Sequence, residues 1–587
     1  MGVTILSGQA YIAATPSSQG AQVLRARASS NYTVYTINAN ASGSTKYDWI
    51  YLSVSAINAN TPAADASNVT SIYTSRSSSN SSDNGTPPTY GLLLAVVTVA
   101  NGASSITNGN ISDRRVQASV STAGTSNTTG WITGLATPNT VTALGNRSYS
   151  CVFNGTDLTG TVSNGMRLKL TRLVAAPTQS TSLNGTTQYY SKTSPAGMTF
   201  TGSFVVSAWV KMTSYVAGSI ASRFNGSSGW DVNIGSTGQV NIAGFNAAAY
   251  RLGTSYQSIP LNKWVHIAAQ IDMSNATVDA TNTYIMIDGV SVPTSQTNGA
   301  APTALVQAGN LEIGSRNGGT QPFPGKIAQV AIYSAKVPQA TILASINQTL
   351  VGTETSLISA YSFNNSINDL NANANNLTAN GSAVATSPDS PFAQGATAGS
   401  LEYGIVTSAT FSTNTTLTVQ VPEGCAIPTS GGVSAVSYSN VKVPYGFPAQ
   451  EGKWTLLFRW VANVGNSASI AATWNAMLGS SVTFPVGEWK QDSSMKLTGS
   501  SATPATFILQ SQWDSAAPTY NRDGQHIERT DTSVSFHTAS HKHKDNISVS
   551  TATVYQMYAA MIGGAGAQVF YNETTYPSVL MLTLAHL

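Results

Sequence analysis

The chain has 587 residues, of which only 9% are charged, with a formal charge of +3 and two cysteines. So small a charge, with no stripe of Lys and Arg, excludes an electrostatic nucleic-acid binder, and two lone cysteines exclude a disulfide framework. With 41% hydrophobic residues the chain can bury real cores in about four domains, and a surface left to Ser, Thr, Asn, Ala and Gly suits strands and turns.

The first segment is residues 1–120. Its opening, MGVTILSGQAYIAA, has no basic stretch followed by a long apolar one, so no signal peptide is expected. Nor does any window approach the ~18–20 apolar residues of a membrane span. Together with the cysteine usage this points to synthesis in a reducing cytoplasm. Tyr47–Val54 (YDWIYLSV) and Gly91–Val99 (GLLLAVVTV) are predicted buried strands, and SRSSSNSSDNGTPPTY between them reads as an exposed loop. The series YDWIYL, TPAA, LLLAVVTVANGASSITNGNISDRR resembles the N-terminal region of bacteriophage tail-fibre and receptor-binding proteins. That resemblance implies a module that docks on other virion tail or baseplate proteins.

Residues 121–176 read as a small β connector. Asn154-Gly155 and Asn164-Gly165 are turn signals between short alternating runs, and FNGTDLTGTVSNGMRLKLTR resembles tail-fibre connector modules.

Residues 177–395 carry the clearest pattern. FTGSFVVSAWVKM, NKWVHIAAQIDM, TYIMIDGVSV, NLEIGSRNGG and FPGKIAQVAIYSAKV alternate apolar and polar residues with period two, as half-buried strands do. In the last run the alternation breaks at Ala328–Gln329. The order of these pieces resembles the laminin-G/concanavalin-like jelly roll, a sandwich that hosts both glycan binders and glycan hydrolases. Trp209 and Trp264, on that family's core strands, are expected to be buried, as is Trp230, which alternates with Val232 and Ile234. KVPQATILASINQTL is the one predicted helix, near Pro338–Leu350. LISAYSFNNSINDLNANANNLT resembles an element that usually opens such a domain; here it either closes this sandwich or is a remnant of a second.

Residues 396–587 offer strand candidates at regular spacing, including KWTLLFRWVANV, ATFILQSQWD and SVLMLTLAHL, the signature of a C-terminal antiparallel β-sandwich. Trp454, Trp460, Trp474, Trp489 and Trp513 gather there as core or subunit-interface residues. The expected fold is therefore all-β and multidomain.

Chemistry is sparse. A retaining glycosidase needs two carboxylates about 5–5.5 Å apart. In 199–333, however, Glu312 stands alone in its strand, while Asp272, Asp279 and Asp288 read as solvated turn residues. G-x-S-x-G, P-loop and C-x-x-C motifs are absent. The chain thus reads as a binder, not an enzyme. Tyr250, Arg251, Tyr256, Arg316 and Asn317 are the expected glycan-binding residues, aromatic faces beside planar polar groups. The laminin-G resemblance admits calcium at the rim, where Asp231, Asp272 and Asp279 are the acids available, though their spacing does not show that they meet. In SFHTASHKHKD, His541 and His543 alternate and point one way on a strand. The tail-fibre resemblance implies a homotrimer with a transition metal on its axis, held by this pair from each chain.

The sequence is read as a structural protein of a phage tail (fibre, spike or baseplate-associated) that binds a host-surface glycan. It would be assembled in the host cytoplasm and carried on the virion. One alternative is a capsid-attached head fibre or decoration protein. Another is a glycan depolymerase with its carboxylates around Asp514, Asp523, Glu528 and Asp531.

Overall fold

The computed structural model divides into two compact units, Met1–Thr122 and Ala123–Leu587. It describes residues 39–54, 91–113, 131–442, 451–461, 475–501, 505–515, 525–531, 535–562 and 578–584, with short internal breaks, and further isolated strands. Almost every element is a strand, and no helix among the described residues is long and apolar enough to cross a membrane.

In the first unit, Lys46–Val54 lies between Thr70–Ser77 and Gly91–Val99 in a four-stranded antiparallel sheet. Trp49 packs with Val96 on one face, while Ile50 packs with Val97 and Val99 on the other. Successive buried residues require cover on both faces. Both predicted strands are present, and Thr70–Ser77 adds one that the sequence did not announce. Residues 78–90 of the expected loop, with Arg114 and Arg115, lie outside the described residues.

The second unit begins with a seven-stranded sheet assembled from two distant parts of the chain. Ile132–Leu135, Thr140–Gly145, Ser148–Asn154 and Met166–Arg172 share it with Leu401–Phe411, Asn414–Gln420 and Val433–Lys442. Met166–Arg172 pairs on one side with Leu401–Phe411 and on the other with Val433–Lys442. Residues 132–172 thus supply four of the seven strands of a sheet that the chain leaves to build the jelly roll and then re-enters. Cys151 and Cys425 are both buried, and neither is in a disulfide.

The jelly roll packs two antiparallel sheets face to face. One runs Val290–Val292, Tyr284–Ile287, Val265–Asp272, Ser203–Met212, Pro324–Tyr333, Ser180–Asn184, Val384–Ser387. The other runs Thr378–Asn380, Tyr189–Lys192, Leu311–Ile313, Gly218–Phe224, Ser228–Ile234, Gln239–Asn246, Ala249–Ser258. Phe204, Val206, Ala208, Val210 and Met212 meet Trp230, Val232, Ile234, Val240 and Ile242 in the core between them. The break at Ala328–Gln329 is a β-bulge: the register with Ser203–Met212 slips there, and Gln329 takes a φ of +49°. Leu357–Tyr361 pairs with Pro324–Tyr333, so the LISAYSFNN element closes this sandwich.

Two expectations need correction. Trp209 has the parity opposite to the core residues of its strand; it is half-buried on the outer face against His266 and Phe392, while Trp264 is buried with Nε1 donating to Asp389 at 2.9 Å. The helix is shorter than predicted, Gln339–Ser345, and starts at Pro338.

The second jelly-roll sheet does not end at Ala249–Ser258. Gln257 and Ser258 pair with Trp460 and Arg459 of Thr455–Trp460, which pairs with Ser578–Leu584 and through it Gly487–Ser501. Trp454, Leu456, Phe458, Trp460, Phe484, Trp489, Leu580, Leu582 and Leu584 form the C-terminal core. Trp474 and the side chain of Trp513 lie outside the described residues.

Candidate ligand-binding face

On Ser228–Ile234 the core takes Trp230, Val232 and Ile234, so Asp231 and Asn233 stand on the opposite, outward face. Register carries that face across the sheet. Ser222 lies opposite both Asp231 and Glu312; Asn241 opposite Asn233 and Thr254; Phe245 opposite Gly229 and Tyr250.

Side-chain hydrogen bonds follow the same row. Thr254 Oγ1 donates to Asn241 Oδ1 at 2.7 Å, Asn241 Nδ2 to Asn233 Oδ1 at 2.9 Å, and Asn233 Nδ2 to Asp231 Oδ2 at 2.7 Å. Beside this ladder runs an aromatic row. Phe224 and Phe245 lie 5.2 Å apart between ring centres, and Phe245 and Tyr250 6.4 Å apart. Gly229 permits the tight return between the first two strands: its φ is +126°, and a Cβ there would sit 1.9 Å from the Arg223 carbonyl oxygen. Asn233, Asn241, Thr254 and the three rings are all partly exposed. Planar amides, hydroxyls and ring faces in one plane suit a polyhydroxylated, uncharged ligand.

One end of the face is covered by the loop 314–321. Arg316 Nη1 pairs with Asp231 Oδ2 at 3.1 Å, and its guanidinium lies 5.0 Å from the Phe224 ring centre. Asp231 Oδ1 accepts from Ser219 Oγ at 2.5 Å. Burial nevertheless pushes the Asp231 carboxyl above its ordinary value, against the pull of Ser219, Arg316 and Asn233. Glu312 holds the same loop, accepting from Ser315 Oγ at 2.5 Å and from the Gly318 N–H at 2.6 Å. These two acids are buried and staple the loop to the sheet.

The structure separates the five expected glycan residues. Tyr250 and Arg316 belong to the outward face, and Asn317, exposed at a φ of +47°, tips the covering loop. Arg251 points the other way. It is 2% exposed and donates from Nη1 to the Asp272 carbonyl at 3.0 Å, which corrects its reading as a surface contact. Tyr256 packs against the C-terminal core. Phe224, Phe245, Asn233, Asn241 and Thr254 were missed; their signal was the alternation with core residues, which assigns a face only once the strand register is known.

The remaining acids are engaged too. Asp272, expected as a solvated turn residue, is instead 1% exposed at the end of Val265–Asp272, and its Oδ2 pairs with Lys336 at 2.8 Å. Asp288 occupies the hairpin turn with Gly289 at φ of +48° and +78°, as the Asp-Gly pair predicts, with Oδ1 accepting the His266 N–H at 2.9 Å. Asp279 lies outside the described residues, and no group of three or more His, Cys, Asp or Glu is placed to hold a metal among those described. His541 and His543 both lie on Ser535–Val549; His543 Nδ1 meets Asp492 Oδ1 at 2.6 Å, while the side chain of His541 is outside the described residues, as are those of Asp514, Glu528 and Asp531 and all of Asp523.

Residues 184–343 match the family described as the concanavalin A-like lectin/glucanases superfamily. No curated protein matches the chain. Similar solved structures include a candidate carbohydrate binding protein from Bacteroides ovatus, with 16% identity over 36% of this chain and 59% of that one and a TM-score of 0.28. The chain therefore spans less than two thirds of that protein's length. Others are the heptameric SAP-like pentraxin of Limulus polyphemus (13% identity, 34% of this chain, 82% of that one, TM-score 0.20) and domains LG4-5 of the mouse laminin alpha1 chain (9% identity, 68% and 90%, TM-score 0.22). The chain carries a concanavalin A-like domain within a nearly all-β fold.

Proposed function

We propose that this protein is a receptor-binding component of a bacteriophage tail that holds a host-surface glycan without cleaving it. The observation that carries the binding reading is the outward face of the jelly roll, where an amide and hydroxyl ladder runs beside Phe224, Phe245 and Tyr250. Asp231 and Glu312, the acids of that face, are committed to holding the loop 314–321, which favours retention of a glycan over its hydrolysis. The tail assignment rests on the resemblance of residues 1–120 to virion-docking modules. Each copy would bind weakly, and repeated copies on one particle would supply avidity.

The test is adsorption of purified protein to host cells. Tyr250→Ala combined with Asn241→Ala should lower retention about tenfold, the loss of ~1.4 kcal/mol of binding, with the unfolding midpoint nearly unchanged. Wild-type retention by the double variant removes this face from the proposal. Shortening of host polysaccharide on incubation with the protein turns the reading towards a depolymerase.

A further inference from the structure

Where the jelly roll meets the C-terminal sandwich, a half-open cavity of about 430 Å³ lies between them. That volume lies within the ~300–1,000 Å³ typical of small-molecule sites. Tyr256 and Gln257 contribute from one strand, Thr283 and Ser291 from around the neighbouring hairpin, and Phe458 and Ser481 from the C-terminal sandwich. Gly479, at a φ of +76°, lets the sandwich close on Tyr256: a Cβ there would lie 2.3 Å from the ring.

One feature points to a ligand. Thr283 is 1% exposed, and its hydroxyl has no hydrogen-bond partner among the described residues. Gln257, 4% exposed, lines the same space. A buried hydroxyl left unmatched destabilises a fold unless something satisfies it. Among the described residues, no carboxylate, ammonium, guanidinium or imidazole lines the space. A charged ligand entering it would lose its hydration without gaining an opposite charge. Tyr256 and Phe458 offer apolar faces, and the hydroxyls and the amide offer both donors and acceptors.

From these observations we infer a second binding site, for an uncharged polyhydroxy ligand of mono- or disaccharide size. It is distinct from the outward face and does not depend on it.

The experiment titrates the full chain, by calorimetry and thermal unfolding, with glucose, galactose, N-acetylglucosamine and lactose, and in parallel with glucuronate and N-acetylneuraminate. At least one neutral sugar should bind and raise the unfolding midpoint, and the acidic sugars should not. Thr283→Val keeps the shape and removes the unmatched hydroxyl. It should therefore raise the midpoint of the free protein while weakening the neutral sugar about tenfold, the loss of one hydrogen bond. Gln257→Leu should weaken it similarly. No response to any neutral sugar at tens of millimolar overturns the proposal, as does wild-type affinity in folded Thr283→Val. Cell adsorption reads the outward face and the Thr283→Val titration reads the cavity, so the two proposals fail separately.

Discussion

Asp288 turns the hairpin at the end of Tyr284–Ile287, and burial lifts its carboxyl to about 6, against the His266 N–H and the positive charge of Arg147. A carboxyl with a folded pKa above its unfolded value stabilises the native state while protonated. That contribution is complete below about pH 4 and is lost as the pH rises through about 6. Asp288→Asn fixes the neutral form and keeps Oδ1 as an acceptor. Its unfolding midpoint should match the wild type at pH 4 and exceed it by a few degrees at pH 7; an equal difference at both pH values contradicts the assignment. The same scale shows what sequence leaves open. Tyr250 and Arg251 are neighbours, and period-two alternation states that they face opposite ways without saying which faces out. Pairing of Tyr250 with Phe245 and the bond from Arg251 to the Asp272 carbonyl settle it. His266 was not singled out as a buried group, yet it is 3% exposed, bonded through Nε2 to Ser207 Oγ at 2.9 Å, and burial lowers its pKa to about 3.

Among elements, the loop 314–321 shows how two buried acids shape the candidate face. It folds back on the sheet because Arg316 reaches Asp231, Glu312 receives Ser315 and Gly318, and Ser222 Oγ donates to the Ser315 carbonyl at 3.0 Å. Asp231 is fully buried, so removing its cation leaves an uncompensated charge in the protein. Arg316→Ala should cost about 3 kcal/mol in urea unfolding, the lower end for a broken buried pair because Arg316 is partly exposed. Hydrogen exchange should then quicken across 314–321, while a loss below ~1 kcal/mol means that the pair is solvated. Strands such as Ser203–Met212 and Pro324–Tyr333 were legible because each writes its own alternation. The sheet joining 132–172 to 401–442 was not legible, because alternation records which face is apolar and not which distant strand completes the ladder.

For the whole molecule, the all-β class and the jelly roll could be read from sequence, whereas continuity of one sheet from the jelly roll into the C-terminal sandwich could not. It depends on a short contact, Gln257 and Ser258 with Trp460 and Arg459, across some two hundred residues of chain. Assembly is the remaining question at this scale. Trp454, Trp460 and Trp489 are buried within their own chain, so of the two readings, core or subunit interface, they take the core. Val554, 53% exposed, and Met581, 38% exposed, do leave apolar surface on the C-terminal sandwich. With the tail-fibre resemblance, this leads us to expect a homotrimer closed through that region. His541 and His543 alternate on Ser535–Val549, and a carboxylate on one nitrogen of His543 orients the other, as second-shell carboxylates do at metal centres. Native mass measurement at micromolar concentration should give three chains per particle, and elemental analysis about one transition-metal ion per trimer. Asp492→Ala should lower metal content without dissolving the trimer. A monomeric mass removes the assembly, while a metal-free trimer leaves His543 as a surface residue paired with Asp492.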